Sequence, residues 1–126
     1  MPVIGCTRRP FLLGCLLLIA VAFGAARVSA HAILENSTPA IDSTVTRPDV
    51  PIVLTFNVRI DASRSELRLL LPNASLIDLS AQQTSPDTLA TKIAGLKPGS
   101  YTILWQVLAP DGHITRGEIP FRVAIR

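Results

Sequence analysis

Hydrophobic and polar residues alternate with a period of two in three long segments, residues 52–59, 101–108 and 118–126. This alternation places successive side chains on opposite faces of a β-strand. Shorter candidate strands cover residues 32–35, 66–71, 75–79 and 88–93. Eight prolines are scattered from Pro39 to Pro120, so no uninterrupted window is left for a long amphipathic helix. The pattern therefore predicts about seven short strands.

About seven short strands separated by turn signals are typical of an immunoglobulin-like Greek-key β-sandwich or barrel, which is an all-β fold. Pro98 and Gly99 suit the two central positions of a type II turn, and Tyr101 follows at the spacing of a tyrosine corner. We expect Trp105 in the next strand to belong to the core. Residues 48–51 and 82–87 are predicted to be loops.

The first thirty residues have the order of a secretory signal peptide. A pair of arginines precedes a 16-residue apolar run, and small residues then occupy the third and first positions before His31. We predict cleavage at that point, which makes residues 1–30 a signal peptide and residues 31–126 the mature domain. A retained membrane anchor would need about 20 apolar residues. Acylation at Cys15 would leave most of the apolar run on the mature chain.

Cleavage changes the composition of the protein. The chain has 12 Lys and Arg against 9 Asp and Glu, and residues 1–30 hold three of the basic residues and none of the acidic ones. The mature domain is therefore formally neutral, which removes the charge argument for nucleic acid or an anionic membrane as a partner. Both cysteines and the only methionine also lie in residues 1–30. Thiol catalysis and zinc–thiolate sites are thus excluded from the mature domain.

His31 becomes the first residue of the predicted mature domain. An N-terminal histidine can chelate a metal through its α-amine and its Nδ1 atom, which close a six-membered ring with the ion. An unperturbed α-amine has a pKa near 8 and an unperturbed imidazole one near 6.5, so a metal can deprotonate both near neutral pH. The alternative is that cleavage happens to fall before a histidine without a role.

Asp111-Gly112-His113 is the second candidate for metal chemistry. On an extended segment the side chains of Asp111 and His113 point to the same side, roughly 6–7 Å apart, and can converge on one ion. Pro110-Asp111-Gly112 is also an ordinary turn signal. Because this motif follows the strand at 101–108 and His31 precedes the first strand, the three side chains could meet at one end of the sandwich.

A site with three nitrogen donors and one carboxylate oxygen suits Cu(II) in a tetragonal arrangement. Zn(II) remains possible but prefers a tetrahedral shell. Cu(I) prefers the sulfur of Met or Cys, and residues 31–126 contain neither. These donors predict one Cu(II) per chain and no Cu(I) site.

The mature region resembles the CopC family of periplasmic copper-binding proteins over essentially all of residues 31–126. The matching blocks are His31-Ala32-x-Leu34, Ser37-x-Pro39-Ala40, Val53-Leu54-Thr55-Phe56, Leu96-x-Pro98-Gly99-x-Tyr101, Trp105, Asp111-Gly112-His113 with Gly117, and Phe121-x-Val123. The resemblance implies a periplasmic protein that binds Cu(II) through a histidine brace, for copper transport, homeostasis or resistance. The implied ligands are the α-amine and imidazole of His31, the carboxylate of Asp111 and the imidazole of His113.

The resemblance also implies a CopD-like membrane copper transporter as a partner, which we expect to be a separate chain, and we expect the protein itself to be a monomer. Two features depart from the family pattern. This chain lacks the methionine-rich loop with which some members bind Cu(I), and it has Asn57 where many members have an acidic residue. No role is predicted for Asn57.

Two other functions compete with a copper carrier. A histidine brace also serves copper oxidoreductases that attack polysaccharides, but a domain of this size has little room for an extended substrate surface. Its single Tyr and single Trp are both expected in the core. The other alternative is a metal-free immunoglobulin-like structural domain in which Asp-Gly-His is only a turn. We predict that the protein is not an enzyme.

Overall fold

The computed structural model describes residues 31–126, and the predicted signal peptide at residues 1–30 lies outside the described part. The described strands are β1 (Leu34–Thr38), β2 (Ser43–Val45), β3 (Val50–Phe56), β4 (Asp61–Leu70), β5 (Leu76–Leu79), β6 (Gln82–Ser85), β7 (Thr88–Ile93), β8 (Gly99–Leu108) and β9 (Ile114–Val123). Within residues 31–126 no helix is long and apolar enough to cross a membrane.

The strands form two sheets. One has four strands in the order β1-β3-β7-β6, and the other has five in the order β2-β9-β8-β4-β5. Neighbouring strands are antiparallel except β2, which pairs in parallel with β9. Inward-facing side chains of both sheets belong to one hydrophobic cluster. The predicted all-β sandwich is therefore confirmed.

The core follows the period-two pattern of the sequence. Alternate residues of β3, β8 and β9 are buried, namely Val50, Ile52, Leu54, Phe56, Tyr101, Ile103, Trp105, Val107, Ile119, Phe121 and Val123. Burying a large apolar side chain stabilises a fold by about 1.5–3 kcal/mol. Because residues 31–126 contain no cysteine, this core stabilises the domain without the help of disulfides.

Two aromatic residues of β8 lie where the sequence predicts. The Tyr101 hydroxyl donates a hydrogen bond of 2.7 Å to the carbonyl of Lys97, which forms the tyrosine corner. Trp105 is buried and packs edge-to-face on Phe56, with ring centroids 5.2 Å apart. The predicted type II turn is wrong, because Gly99 begins β8 with a φ of 156° and a type II turn requires about +80° at that position.

Several strand boundaries also differ from the prediction. Residues 82–85, predicted as a loop, form the edge strand β6, in which every residue is exposed. Ser43–Val45 forms the unpredicted β2. An exposed edge strand does not need hydrophobic alternation, since it is held by pairing with its neighbour. At the hairpin, β9 begins at Ile114 rather than at residue 118, because its pairing with β8 starts directly after the connecting loop.

Gly117 of β9 is needed for the packing of Trp105. A Cβ added to Gly117 would overlap the indole ring, whose Nε1 atom lies 2.8 Å from that position. We expect Gly117→Ala to lower the free energy of unfolding by about 1–3 kcal/mol, because overpacking forces the ring or the strand to move. Chemical denaturation followed by circular dichroism measures this loss. Thr115→Ala on the same strand is the control, and an equal effect of both changes would contradict the packing argument.

Candidate metal centre

The loop that joins β8 to β9, residues 109–113, is closed by Ala109 and His113 around a turn of Pro110, Asp111 and Gly112. The backbone N–H of Ala109 donates to the His113 carbonyl, and that of Gly112 donates to the Ala109 carbonyl, both at 3.0 Å. Gly112 has a φ of 84°, in the left-handed region that glycine adopts without strain. This is the arrangement of a type I turn followed by a left-handed residue, which favours Pro at its second position and Gly at its fourth.

The turn, rather than an extended segment, brings Asp111 and His113 together. The predicted extended conformation is wrong at this point, whereas the turn signal of Pro110-Asp111-Gly112 is confirmed. The Oδ1 atom of Asp111 accepts a 3.0 Å hydrogen bond from the backbone N–H of His113. One carboxylate oxygen is thereby fixed to the backbone, and Oδ2 is left to face the two imidazoles.

His31 reaches the same end of the sandwich on a short N-terminal arm, which we define as residues 31–33. Ala32 is buried in the core with 2% of its surface exposed. Ile33 exchanges hydrogen bonds with Asn57, the residue after β3. Because β1 runs antiparallel to β3, the start of the arm lies beside the end of β3. This end of the four-stranded sheet faces the β8–β9 loop of the other sheet.

The three candidate ligands converge in the structure. The Nδ1 atom of His113 lies 2.9 Å from Oδ2 of Asp111, and Nδ1 of His31 lies 3.5 Å from the same oxygen. The two imidazole rings meet edge-to-face with centroids 4.7 Å apart. One ligand atom from each of the three residues lies within 4.8 Å of the other two. The structure thus brings together all three residues that the sequence singled out.

These separations are close to those of a metal site. Metal bonds to imidazole nitrogen and carboxylate oxygen of about 2 Å place two ligand atoms roughly 3–4 Å apart around one ion. Two imidazoles and a carboxylate are the donors that Zn(II) and Cu(II) take, and they lack the sulfur that Cu(I) prefers. The described side chains therefore fit a borderline divalent ion after small rotations of the histidines.

The electrostatics of Asp111 favour metal binding. The pKa of its carboxyl lies below the usual range mainly because the His113 backbone N–H donates to it. Desolvation opposes this, and the His113 side chain and the charges of His113 and His31 lower the pKa further. The carboxylate is therefore ionised at neutral pH, as a metal ligand must be.

The site is open to solvent. The side chains of His31 and His113 are 56% and 65% exposed, and that of Asp111 is 24% exposed. An ion held between them would lie at the surface of the sandwich end, not in a closed cavity. Such a position allows ligands of another molecule to reach the ion directly.

One residue of this region has a role that the sequence does not predict. Asn57 Oδ1 accepts a 2.7 Å hydrogen bond from the Ile33 backbone N–H, so the side chain of Asn57 contacts the arm that carries His31. The signal available in the sequence was a polar amide directly after a buried strand. That signal does not reveal its partner, which depends on how β1 pairs with β3.

A comparison with models of protein families identifies one family. A sequence model described as the CopC domain matches residues 34–124. The chain is 35% identical over 100 residues to protein YobA of Escherichia coli, covering 76% of this chain and 81% of that protein. The YobA of Shigella flexneri matches to the same extent.

Two solved structures are also similar. CopC from Methylosinus trichosporium has a TM-score of 0.69 and 26% identity, covering 76% of this chain and 96% of that one. PcoC from Escherichia coli, described as a methionine-rich copper resistance protein, has a TM-score of 0.63 and 25% identity, covering 75% of this chain and all of that one.

Proposed function

This chain belongs to the CopC family, and we propose that its residues 31–126 form a periplasmic protein that holds one Cu(II) ion as cargo. The family match supports a role in copper binding, and the similarity to a methionine-rich copper resistance protein points in the same direction. We propose transport, homeostasis or resistance as the setting. A CopD-like membrane protein would then be the partner that exchanges copper with the monomer.

The observation that carries this proposal is the convergence of His31, Asp111 and His113 at one end of the sandwich. The three residues come from two distant parts of the chain, on segments that adjoin different sheets. No single turn or strand accounts for their meeting. One oxygen of the Asp111 carboxylate is fixed to the backbone, and the other faces two imidazoles. This arrangement contributes little to packing but is well suited to bind a cation.

The proposed ligand set includes the α-amine of His31, which exists only after cleavage behind residue 30. We propose that signal-peptide removal creates the site, because it frees a fourth donor on the same residue as the His31 imidazole. Three nitrogens and one oxygen favour Cu(II), which is also the tightest-binding divalent ion of the first transition row. In this proposal an uncleaved chain is a weaker binder than the mature protein.

We favour a copper carrier over a copper enzyme. Tyr101 and Trp105, the only residues of their types, are buried, so neither is available to stack on a sugar. The exposed imidazoles suit exchange of the ion with a partner that brings its own ligands. A carboxylate in the ligand set also stabilises the divalent state relative to the monovalent one, which favours holding over redox cycling.

The N-terminal amine is tested by acetylating it in the protein that begins at His31. Acetylation removes the amine as a donor and leaves the His31 imidazole in place. We expect the Kd for Cu(II) to rise at least about tenfold, because one of four donors and its chelate ring are lost. Competition with a copper chelator of known affinity gives the Kd for both forms.

Electron paramagnetic resonance of both copper complexes provides the second readout. A change in the g and hyperfine values is expected, because an amine nitrogen leaves the ligand field. Equal affinities and identical spectra would show that the amine is not a ligand and would contradict the histidine brace. Absence of stoichiometric binding by the form with a free His31 amine would instead contradict copper binding as a whole.

A further inference from the structure

Asn57 extends the pairing of β3 by one residue through its side chain. The Ile33 backbone N–H donates to Asn57 Oδ1 at 2.7 Å, and the Asn57 backbone N–H donates to the Ile33 carbonyl at 3.0 Å. Two residues that form a hydrogen-bonded pair in an antiparallel ladder exchange two backbone hydrogen bonds. Here a side-chain oxygen takes the place of one backbone acceptor. The arm is thus held at a point where the backbone of β3 has ended.

The regular ladder is weak next to this point. Leu34 pairs with Phe56 but Asn36 pairs with Thr55, so a bulge interrupts β1 directly after its first residue. A bulge disrupts the local hydrogen bonding of a strand. Beyond the bulge, toward His31, the arm is held by the burial of Ala32 and by its bonds to Asn57.

We propose that Asn57 is a positioning residue that fixes the N-terminal arm so that His31 meets Asp111 and His113. This inference rests on the proposed function, because it concerns how the same site is assembled. His31 supplies two of the four proposed donors, and an arm free to move must be ordered when the metal binds. Fixing Ile33 in advance removes part of that ordering cost.

The task requires an acceptor at this position, which either an amide oxygen or a carboxylate oxygen supplies. Asn57 is exposed and lies close to the arm, so a carboxylate at this position would add a second negative group near the site. The amide oxygen positions the backbone and leaves Asp111 as the carboxylate that faces both imidazoles. Asn57→Asp keeps an acceptor in the same place, whereas Asn57→Ala removes it.

The test uses the full chain, exported with its own first thirty residues and purified after processing, with the N-terminus verified by mass spectrometry. We expect Asn57→Ala to raise the Kd for Cu(II) about three- to tenfold, which corresponds to the loss of one hydrogen bond. We expect Asn57→Asp to bind at least as tightly as the wild-type protein. An affinity of Asn57→Ala within a factor of 1.5 of wild type overturns the proposal.

Asn73 offers a matched control. Its Oδ1 atom accepts a 3.0 Å hydrogen bond from the Ser75 backbone N–H, and both residues are exposed in the β4–β5 turn. That turn packs against Gly99 at the start of β8, and nine further residues of β8 take the chain roughly 30 Å toward the site. Asn73→Ala therefore removes a similar bond at the opposite end and should leave the Kd unchanged. A rise equal to that of Asn57→Ala contradicts a specific role for Asn57.

A double-mutant cycle separates positioning from general destabilisation. If Asn57 acts by positioning the donors of residue 31, Asn57→Ala should change the Kd by less than a factor of two in a His31→Ala background whose N-terminal amine is acetylated, because residue 31 then supplies no donor. An undiminished three- to tenfold effect in that background overturns the positioning role. Failure of the wild-type protein to bind Cu(II) rejects the proposed function itself, whereas wild-type binding with no effect of Asn57→Ala rejects only this inference.

A further measurement needs no variant. In the copper-free wild-type protein we expect the Ile33 amide to be protected from hydrogen exchange, because its N–H is bonded to Asn57. Exchange at the rate of an unstructured peptide would show that the arm is not fixed in advance, and would overturn the proposal independently of any folding defect in the variants.

Discussion

Replacing His113 with alanine is expected to raise the Kd of the processed protein for Cu(II) by at least about 100-fold. Mutation of groups that only orient metal ligands typically costs 10- to 100-fold in affinity, and His113 is a proposed ligand itself. Its Nδ1 atom lies 2.9 Å from Asp111 Oδ2, so the change also removes the group that faces the carboxylate most closely. Competition with a chelator of known affinity measures the loss.

The fold should not suffer from this change. His113 contributes to the hairpin through its backbone, whose carbonyl accepts from Ala109 and whose N–H donates to Asp111, and its side chain is 65% exposed. The melting temperature without copper should therefore stay within a few degrees of wild type. The copper-dependent rise in melting temperature should be lost, because that rise reflects the affinity of the folded state for the ion. An unchanged Kd would remove His113 from the ligand set.

Gly112→Ala separates the geometry of the loop from its chemistry. The left-handed φ of Gly112 is strained for alanine, although nothing lies within 4 Å of the added Cβ. A loss of copper affinity in this variant would arise from the turn that sets Asp111 against His113, since all proposed ligands remain. The comparison with His113→Ala distinguishes a lost ligand from a displaced one.

The parts of the fold that were predictable are those in which one local cause dominates. Alternation along β8 buries Tyr101 and Trp105 wherever the neighbouring strands lie, and Thr88–Ile93 matches its predicted strand at both ends. The hairpin turn was readable because Pro110, Asp111 and Gly112 each suit one position of it. Edge strands such as β6 escaped prediction, because their exposed polar residues leave no hydrophobic signal.

The candidate site was only partly predictable for a related reason. The donor types of His31, Asp111 and His113 are visible in the sequence, but their meeting depends on two pairings in different sheets. The β1–β3 pairing places the arm at one edge, and the β8–β9 hairpin places the loop opposite it. Asn57 was missed because its partner, the Ile33 backbone N–H, is supplied by the first of these pairings.

Proteins that share this fold can differ in their metal-ligating residues. PcoC, which shares the fold of this chain at a TM-score of 0.63, is described as methionine-rich. Residues 31–126 of this chain contain no methionine and no cysteine. Because a fold does not determine the residues of its metal site, a shared fold does not imply a shared oxidation state of the bound copper. The sulfur-free composition therefore bears more directly on copper chemistry than the likeness between the two structures.

Reduction of the bound ion is expected to release it. Cu(I) is a soft ion that prefers thioether and thiolate ligands, and the site offers imidazoles, an amine and a carboxylate instead. We expect the Kd for Cu(I) to exceed that for Cu(II) by at least about 100-fold.

The measurement is anaerobic competition with a chromogenic Cu(I) chelator in the presence of ascorbate, beside a Cu(II) competition on the same preparation. Silver(I), a soft ion that can be titrated without ascorbate, serves as a control and should bind as weakly. Retention of Cu(I) as tight as that of Cu(II) would mean that imidazoles alone stabilise the monovalent ion here, and the protein could then carry copper in both oxidation states. Release on reduction would instead make reduction of the ion a route that frees the cargo, in addition to ligand exchange with a partner.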